Sequence, residues 1–72
     1  MIDIALFGLG RIGIMHGKNL MRNKDFNLRY VYDIDKNLTK KYSKILKAES
    51  VDNPNIIFKD KKIRAVFIAS TT

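Results

Sequence analysis

The sequence predicts an α/β fold in which helices cover the faces of a parallel β-sheet. Short apolar runs alternate with amphipathic segments along the 72 residues, and this alternation is typical of strands joined by helical crossovers. All four glycines fall between Gly8 and Gly17, directly after the first apolar run, and the only proline is Pro54. Glycine concentrated in this way indicates a turn whose backbone conformation or close packing excludes larger residues.

The first half of the chain predicts two strands with a helix between them. The apolar run Ile2–Phe7 is typical of a strand that is buried on both faces. Apolar residues at three- and four-residue steps predict a helix from about Arg11 to Asn23. After a loop at residues 25–27, residues 28–32 predict the second strand. Four residues of the helix would face the core: Ile12, Met15, His16 and Leu20.

The second half predicts a helix from Asp35 to about Ala48, with Asp35 as its N-cap. After a turn at residues 52–54, residues 55–58 predict a short strand, and residues 63–69 predict the last strand. The apolar face of this second helix contains Leu38, Tyr42, Ile45 and Leu46. Its opposite face contains Lys36, Lys40, Lys41, Lys44 and Lys47.

Charge and composition exclude several classes of protein. The formal net charge is +7, but residues 36–64 hold nine basic and three acidic side chains, whereas residues 1–35 hold five and four. The basic surplus therefore avoids the glycine segment, and a solvated helix face explains it better than a nucleic-acid surface. The sequence has no cysteine, hence no disulfide framework, and we recognise no metal-ligand pattern. With neither a membrane segment nor a targeting segment visible, we expect a cytoplasmic protein without a membrane partner.

The glycines spell a dinucleotide-binding fingerprint. Gly8, Gly10 and Gly13 form the pattern G-L-G-R-I-G between the first strand and the first helix. In such a Rossmann-type turn the first glycine permits the tight bend, the second lets the backbone approach a pyrophosphate, and the third lets the helix pack close to the strand. The start of the helix would favour the negative charge of the phosphates.

Asp33 strengthens this interpretation. It ends the second strand, 20 residues after Gly13, which is about the spacing of the acid that hydrogen-bonds an adenosine ribose. A carboxylate accepts hydrogen bonds from ribose hydroxyls but repels a 2′-phosphate, so we expect NAD as the cofactor and disfavour NADP. His16, the only histidine, is expected to have a structural role on the packed face of the first helix.

These segments together resemble the N-terminal end of the Gfo/Idh/MocA oxidoreductase family, and in particular its myo-inositol 2-dehydrogenase-like members. The resemblance rests on G-L-G-R-I-G followed by Met15, His16 and Gly17, on V-Y-D-I-D at residues 31–35, and on I-R-A-V-F-I-A-S-T at residues 63–71. It implies a hydride transfer between a nicotinamide cofactor and a cyclic polyol or sugar. By this resemblance, residues 1–72 are the N-terminal part of the dinucleotide-binding domain, the first βαβαβ half. A larger substrate domain, absent from this chain, would also form homo-oligomers.

The resemblance also implies roles for individual residues. Those expected around the pyrophosphate are Gly8, Gly10, Arg11 and Ile12, and those at the adenosine ribose are Asp33 and Ile34. Where the last strand ends, Ser70 and Thr71 would lie beside the cofactor. The family's catalytic lysine belongs to a Glu-Lys-Pro motif that this sequence lacks, so no catalytic residue is assigned here. The family often has a polar residue at the position of Ile14, which we therefore expect to be exposed or to contact structure outside the chain.

Three other interpretations remain open from the residues alone. The first is a non-catalytic Rossmann module that senses NAD. The second is another NAD-dependent dehydrogenase such as glyceraldehyde-3-phosphate dehydrogenase, which also contains G-R-I-G but has an asparagine where Phe7 stands here. The third is a small basic protein that binds nucleic acid, and the positive net charge is the only feature that supports it.

Overall fold

The computed structural model of the chain describes residues 1–69. Four strands and three helices alternate along it. In chain order they are β1 (Ile2–Phe7), α1 (Arg11–Arg22), β2 (Phe26–Tyr32), α2 (Lys36–Leu46), β3 (Glu49–Ser50), α3 (Asn55–Lys59) and β4 (Ile63–Ile68).

The strands form one parallel sheet in the order β3-β2-β1-β4, which confirms the predicted fold class. β1 lies in the middle of the sheet, where Ile4 is paired with Leu28 of β2 and with Ala65 of β4. Because all strands run in the same direction, their carboxyl ends meet at one edge of the sheet. That edge carries the glycine segment, which follows β1 directly.

Two apolar clusters cover the two faces of the sheet. On one face α1 and α2 pack through Leu20 and Leu46, and on the other α3 packs through Ile57. The first cluster consists of Ile4, Leu6, Leu9, Leu20, Leu28, Val31 and Leu46. The second consists of Ala5, Tyr30, Val51 and Ile57. Consecutive residues of β1 alternate between the clusters, so its apolar run is buried on both sides as predicted.

The packed face of α1 differs from the prediction. Its buried residues are Gly13, Gly17 and Leu20, whereas Ile12, Met15 and His16 are exposed. The helix contacts the sheet and α2 through its glycines, because they let backbone and neighbouring side chains approach closely. A Cβ at Gly17 would lie 2.7 Å from Cδ1 of Leu46 and 3.1 Å from Cδ2 of Leu6. A Cβ at Gly13 would overlap the carbonyl oxygen of Gly8.

The expectation for His16 was also wrong, because this residue is exposed and does not pack in the core. Ile14 is not fully exposed: it is half-buried and packs against the first cluster. Where a helix packs through glycines, the buried face is not marked by apolar side chains, so a hydropathy pattern does not detect it. The buried face of α1 is therefore a different face from the one predicted. On α2, Ile45 is likewise more exposed than predicted, at 44%.

The helix α2 begins and ends through local backbone chemistry. Its predicted N-cap is confirmed, because the Asp35 carboxylate accepts hydrogen bonds from the N–H groups of Asn37 at 2.9 Å and Leu38 at 3.3 Å. The helix ends where Lys47 adopts a left-handed conformation with φ of 55°. The second strand starts at Phe26, two residues earlier than predicted.

Residues 55–58 belong to the helix α3, and the prediction of a strand there was wrong. The carbonyl oxygen of Pro54 accepts hydrogen bonds from Ile57 at 3.0 Å and Phe58 at 3.2 Å, which closes a helical turn. Proline at the start of a helix has a favourable φ and loses no hydrogen bond, and here its φ is −63°. A short apolar run does not by itself distinguish strand from helix. The third strand is instead Glu49–Ser50, which pairs with Tyr30 and Val31.

A polar cluster fastens β2 to the loop that precedes β4. The hydroxyl of Tyr30 donates to Oδ2 of Asp60 at 2.6 Å, and Nε of Arg29 lies 3.3 Å from the same oxygen. Oδ1 of Asp60 accepts the backbone N–H of Lys62 at 2.9 Å. The hydrogen bond from Tyr30, followed by that from Lys62, lowers the pKa of Asp60 below its usual range.

We expect Gly13→Ala to destabilise the chain more than Gly17→Ala. Alanine raises helix propensity by about 1 kcal/mol at both positions. At Gly13, however, the new Cβ meets a backbone carbonyl, whereas at Gly17 it meets the end of the Leu46 side chain, which can change rotamer. The free energy of unfolding in urea should fall by about 2 kcal/mol more for Gly13→Ala. Equal losses of unfolding free energy in the two variants would show that the contact between Gly13 and the Gly8 carbonyl does not make Gly13 the more sensitive position.

As pH falls, the free energy of unfolding should decrease more steeply in the wild-type chain than in the Tyr30→Phe variant. Because the folded pKa of Asp60 is lowered, its stabilisation is present above the unfolded value of about 3.9 and is lost as pH falls through the folded pKa. Urea unfolding between about pH 6 and pH 2.5 measures the difference. Tyr42→Phe, on the opposite face of the sheet, is the matched control and should follow the wild type. Parallel pH profiles for wild type and Tyr30→Phe would refute this role of Tyr30.

Candidate functional site

A cavity of about 310 Å³ opens where β1, β2 and β4 end. We call it the carboxyl-edge cavity. It lies at the edge where parallel α/β sheets bind their ligands. Its lining residues are Phe7, Gly8, Gly10, Tyr32, Asp33, Ile34, Ile68 and Ala69.

The turn after β1 is held between the two neighbouring strands. The N–H of Gly8 donates to the carbonyl oxygen of Tyr32 at 2.9 Å, and the N–H of Ala69 donates to that of Phe7 at 2.8 Å. Gly8 has a φ of +95°, and a Cβ there would overlap the carbonyl oxygen of Ala69. Glycine is therefore required at this position by its backbone conformation and by its neighbour.

The helix α1 begins directly above this turn. Gly10 is its N-cap and Arg11 its first residue, and no residue of its first turn is acidic. The N–H of Ile14 donates to the carbonyl oxygen of Gly10 at 2.9 Å, so the preceding helical N–H groups have no intrahelical acceptor. Those donors and the helix dipole make this end of α1 favourable for an anion. The φ of Gly10, −71°, is one that any residue adopts.

Asp33 connects the end of β2 to the glycine turn. Its Oδ2 accepts the backbone N–H of Leu9 at 2.7 Å, and its Oδ1 accepts that of Asp35 at 2.8 Å. The carboxylate is half-buried and lines the cavity. A carboxylate has about four acceptor positions, so these two bonds leave about two that can accept further donors.

The structure brings together four of the predicted site residues, because Gly8, Gly10, Asp33 and Ile34 all line the cavity. Ile34 has 89% of its surface exposed. Gly13 is buried beneath the turn, against Gly8, and so supports the site from below. The side chains of Arg11 and Ile12 are exposed at the start of α1 and do not line the cavity. Ser70 and Thr71 lie outside the described residues.

Sequence reasoning missed the apolar part of the cavity. Phe7, Tyr32 and Ile68 line it, and the rings of Phe7 and Tyr32 lie 5.5 Å apart between their centroids. Phe7 also lies 5.6 Å from Phe58 of α3. Each missed residue is the last of its strand, so the carboxyl ends of predicted parallel strands were the available signal.

Residues 1–69 contain neither a cluster of metal-ligating side chains nor a helix that could span a membrane. Within that range no group of three or more His, Cys, Asp and Glu side chains is placed to hold a metal ion. None of the helices α1 to α3 has the length and apolar character needed to cross a membrane.

Solved structures similar to this chain have the same fold. A myo-inositol dehydrogenase from Corynebacterium glutamicum is 32% identical over 99% of the chain, with a TM-score of 0.88. A myo-inositol 2-dehydrogenase from Lactobacillus plantarum is 26% identical over 99% of the chain, with a TM-score of 0.84. At 22% identity over 97% of the chain, the Lactobacillus casei myo-inositol dehydrogenase, solved with NAD(H) and myo-inositol, shows the fold alone, with a TM-score of 0.86. The aligned region is 21%, 22% and 22% of these three proteins, so the chain spans about one-fifth of their length.

The family comparison agrees with the fold and with the resemblance drawn from the motifs. A search of curated protein sequences gave no match. The family model described as the oxidoreductase family with an NAD-binding Rossmann fold matches residues 2–72. This match confirms the prediction of NAD at the level of the family and argues against a glyceraldehyde-3-phosphate dehydrogenase. The chain belongs to the Gfo/Idh/MocA family of oxidoreductases.

Proposed function

We propose that this chain forms the NAD-binding part of a dehydrogenase that transfers a hydride between the nicotinamide and a cyclic polyol or sugar. The observation that carries the proposal is the convergence of three features on the carboxyl-edge cavity. These are the glycine turn at Gly8, the uncapped start of α1, and the carboxylate of Asp33. The names of the similar Corynebacterium and Lactobacillus plantarum enzymes support the polyol as substrate class.

The start of α1 would hold the pyrophosphate. The backbone N–H groups of Gly10, Arg11 and Ile12 would donate to phosphate oxygens, where the positive end of the helix dipole adds to the attraction. Because the φ of Gly10 does not itself require glycine, the close approach of a phosphate explains this residue best. Arg11 contributes through its backbone in this arrangement, since its side chain lies outside the cavity lining.

Asp33 would hold the adenosine ribose. The two acceptor positions that Leu9 and Asp35 leave free match the two hydroxyls of an unmodified ribose. A 2′-phosphate about 5 Å away would be repelled by about 3 kcal/mol per unit charge at an effective dielectric constant near 20. This repulsion favours NAD over NADP. Ile34 would contribute its exposed apolar surface beside the ribose and adenine.

The chemistry of the reaction would come from the nicotinamide, which accepts or donates the hydride. The residues of this chain would bind and orient the cofactor, with Ser70 and Thr71 beside it by the family resemblance. We assign no catalytic residue to the chain, since the Glu-Lys-Pro motif does not occur in it. Residues 1–72 would then be the first half of the dinucleotide-binding domain. A general base, the substrate pocket and self-association would belong to other parts of the whole protein.

We expect Asp33→Asn to weaken NAD binding by about tenfold to a hundredfold, because a hydrogen bond to a charged group contributes roughly 1.5 to 3 kcal/mol. The preference for NAD over NADP should narrow at the same time, since the repelling charge is removed. Isothermal titration calorimetry with each cofactor measures both effects. Asp35→Asn is the matched control, because asparagine also caps a helix and the residue does not line the cavity. An unchanged NAD affinity in Asp33→Asn would remove Asp33 from the site.

A further inference from the structure

Thr39 is a buried polar residue that the predicted site does not include. It lies on α2 with 3% of its surface exposed, next to the loop that joins β2 to α2. Its Oγ1 accepts the backbone N–H of Asp33 at 3.0 Å. The same oxygen lies 3.1 Å from the carbonyl oxygens of both Asp33 and Asp35, to which its hydroxyl can donate. A buried threonine therefore contacts the backbone of Asp33 on both sides.

The helix α2 does not need this hydroxyl for its own start. The Asp35 side chain already accepts the N–H groups of Asn37 and Leu38, and the Asp35 carbonyl accepts the backbone N–H of Thr39 at 3.1 Å. The contacts that only the hydroxyl makes are those with Asp33, which lies outside the helix. Helix capping thus leaves the bonds to Asp33 unexplained.

The contacts of Asp33 form one continuous network. Its N–H donates to Oγ1 of Thr39, and its carbonyl oxygen is one of the two that the Thr39 hydroxyl can donate to. Its carboxylate accepts the N–H groups of Leu9 and Asp35. Both the backbone and the side chain of Asp33 are therefore held. The network connects α2, the end of β2 and the glycine turn, and it determines where the remaining acceptor positions of the carboxylate lie.

We propose that Thr39 is a positioning residue for the adenosine ribose, which acts through the backbone of Asp33. The inference rests on the proposed function, because it assumes that the carboxyl-edge cavity binds the adenosine half of NAD. Without the hydroxyl, the part-buried N–H of Asp33 loses its acceptor, and the backbone that carries the carboxylate is no longer held from the side of α2. The hydrogen bond to the ribose 2′-hydroxyl should then weaken, while the pyrophosphate contacts remain.

The test compares the binding of ADP and 2′-deoxy-ADP by calorimetry, because the ratio of their dissociation constants isolates the 2′-hydroxyl. We expect ADP to bind the wild-type protein about tenfold more tightly than 2′-deoxy-ADP. In Thr39→Val, which keeps the shape but loses the hydroxyl, the ratio should fall to about twofold. Thr39→Ser should restore it. Ser43→Ala removes an α2 hydroxyl that contacts only the Lys40 carbonyl among the described residues, and should leave the ratio unchanged.

A general loss of stability would weaken both ligands equally, so the ratio distinguishes positioning from a merely structural role. Thr39→Ala provides a second hydroxyl-free variant if valine prevents folding, which circular dichroism would show. An unchanged ratio in a folded hydroxyl-free variant, with the wild type discriminating as expected, overturns the role of Thr39 alone. If the wild type binds neither ADP nor NAD, the proposed function is overturned, and the role of Thr39 with it.

Discussion

The close contact of three backbone segments at Gly8 determines the rest of the structure. The turn at Gly8 lies against the carbonyl oxygen of Ala69 on one side and beneath Gly13 on the other. A side chain at either glycine would separate the end of β1 from β4 or from α1. Because α1 can start so near to β1, its N–H groups point toward the carboxyl edge of the sheet. The anion-favouring character of the start of α1 thus follows from the absence of side chains at these glycines.

Asp33 extends this arrangement to the next strand. Its hydrogen bond to Leu9 connects the glycine turn to β2, while the N–H of Gly8 bonds to the carbonyl of Tyr32. A carboxylate that is bonded to two backbone N–H groups has a fixed orientation before any ligand binds. Such preorganisation lowers the entropic cost of binding. In this arrangement the same side chain stabilises the turn and presents acceptors to the cavity, so folding and recognition share one group.

The parts of the site that could be predicted from the sequence are those that local chemistry dictates. In the site, Gly8 is required by a positive φ and Asp33 follows the end of a strand. In the fold around it, Asp35 is the N-cap of α2. Each of these local requirements selects a recognisable residue type. The packed face of α1 could not be predicted in this way. Glycine has no hydropathy to contribute, so the exposed Ile12 and Met15 dominated the pattern.

The contacts between distant residues could not be predicted either. The bond from Leu9 to Asp33 joins residues 24 positions apart. The bond from Asp33 to Thr39 spans only six positions, but it depends on how the loop before α2 folds back on the first turn of the helix. The helix α3 was mistaken for a strand because a run of four residues has no usable period, although the preceding proline favoured a helix start. Local motifs thus identified the position of the cavity, whereas the residues that fix the geometry of its lining became visible only in the folded structure.

The most direct test of the account is an NMR titration of the ¹⁵N-labelled protein with NAD. The central claim is that backbone N–H groups at the carboxyl edge of the sheet receive the cofactor. It predicts saturable shifts that are largest for the amides of residues 8–13 and 33–35, with little change in the lysine-rich face of α2. Shifts confined to that lysine-rich face, or shifts that do not saturate, would contradict it, because they would indicate nonspecific attraction of phosphate to positive charge.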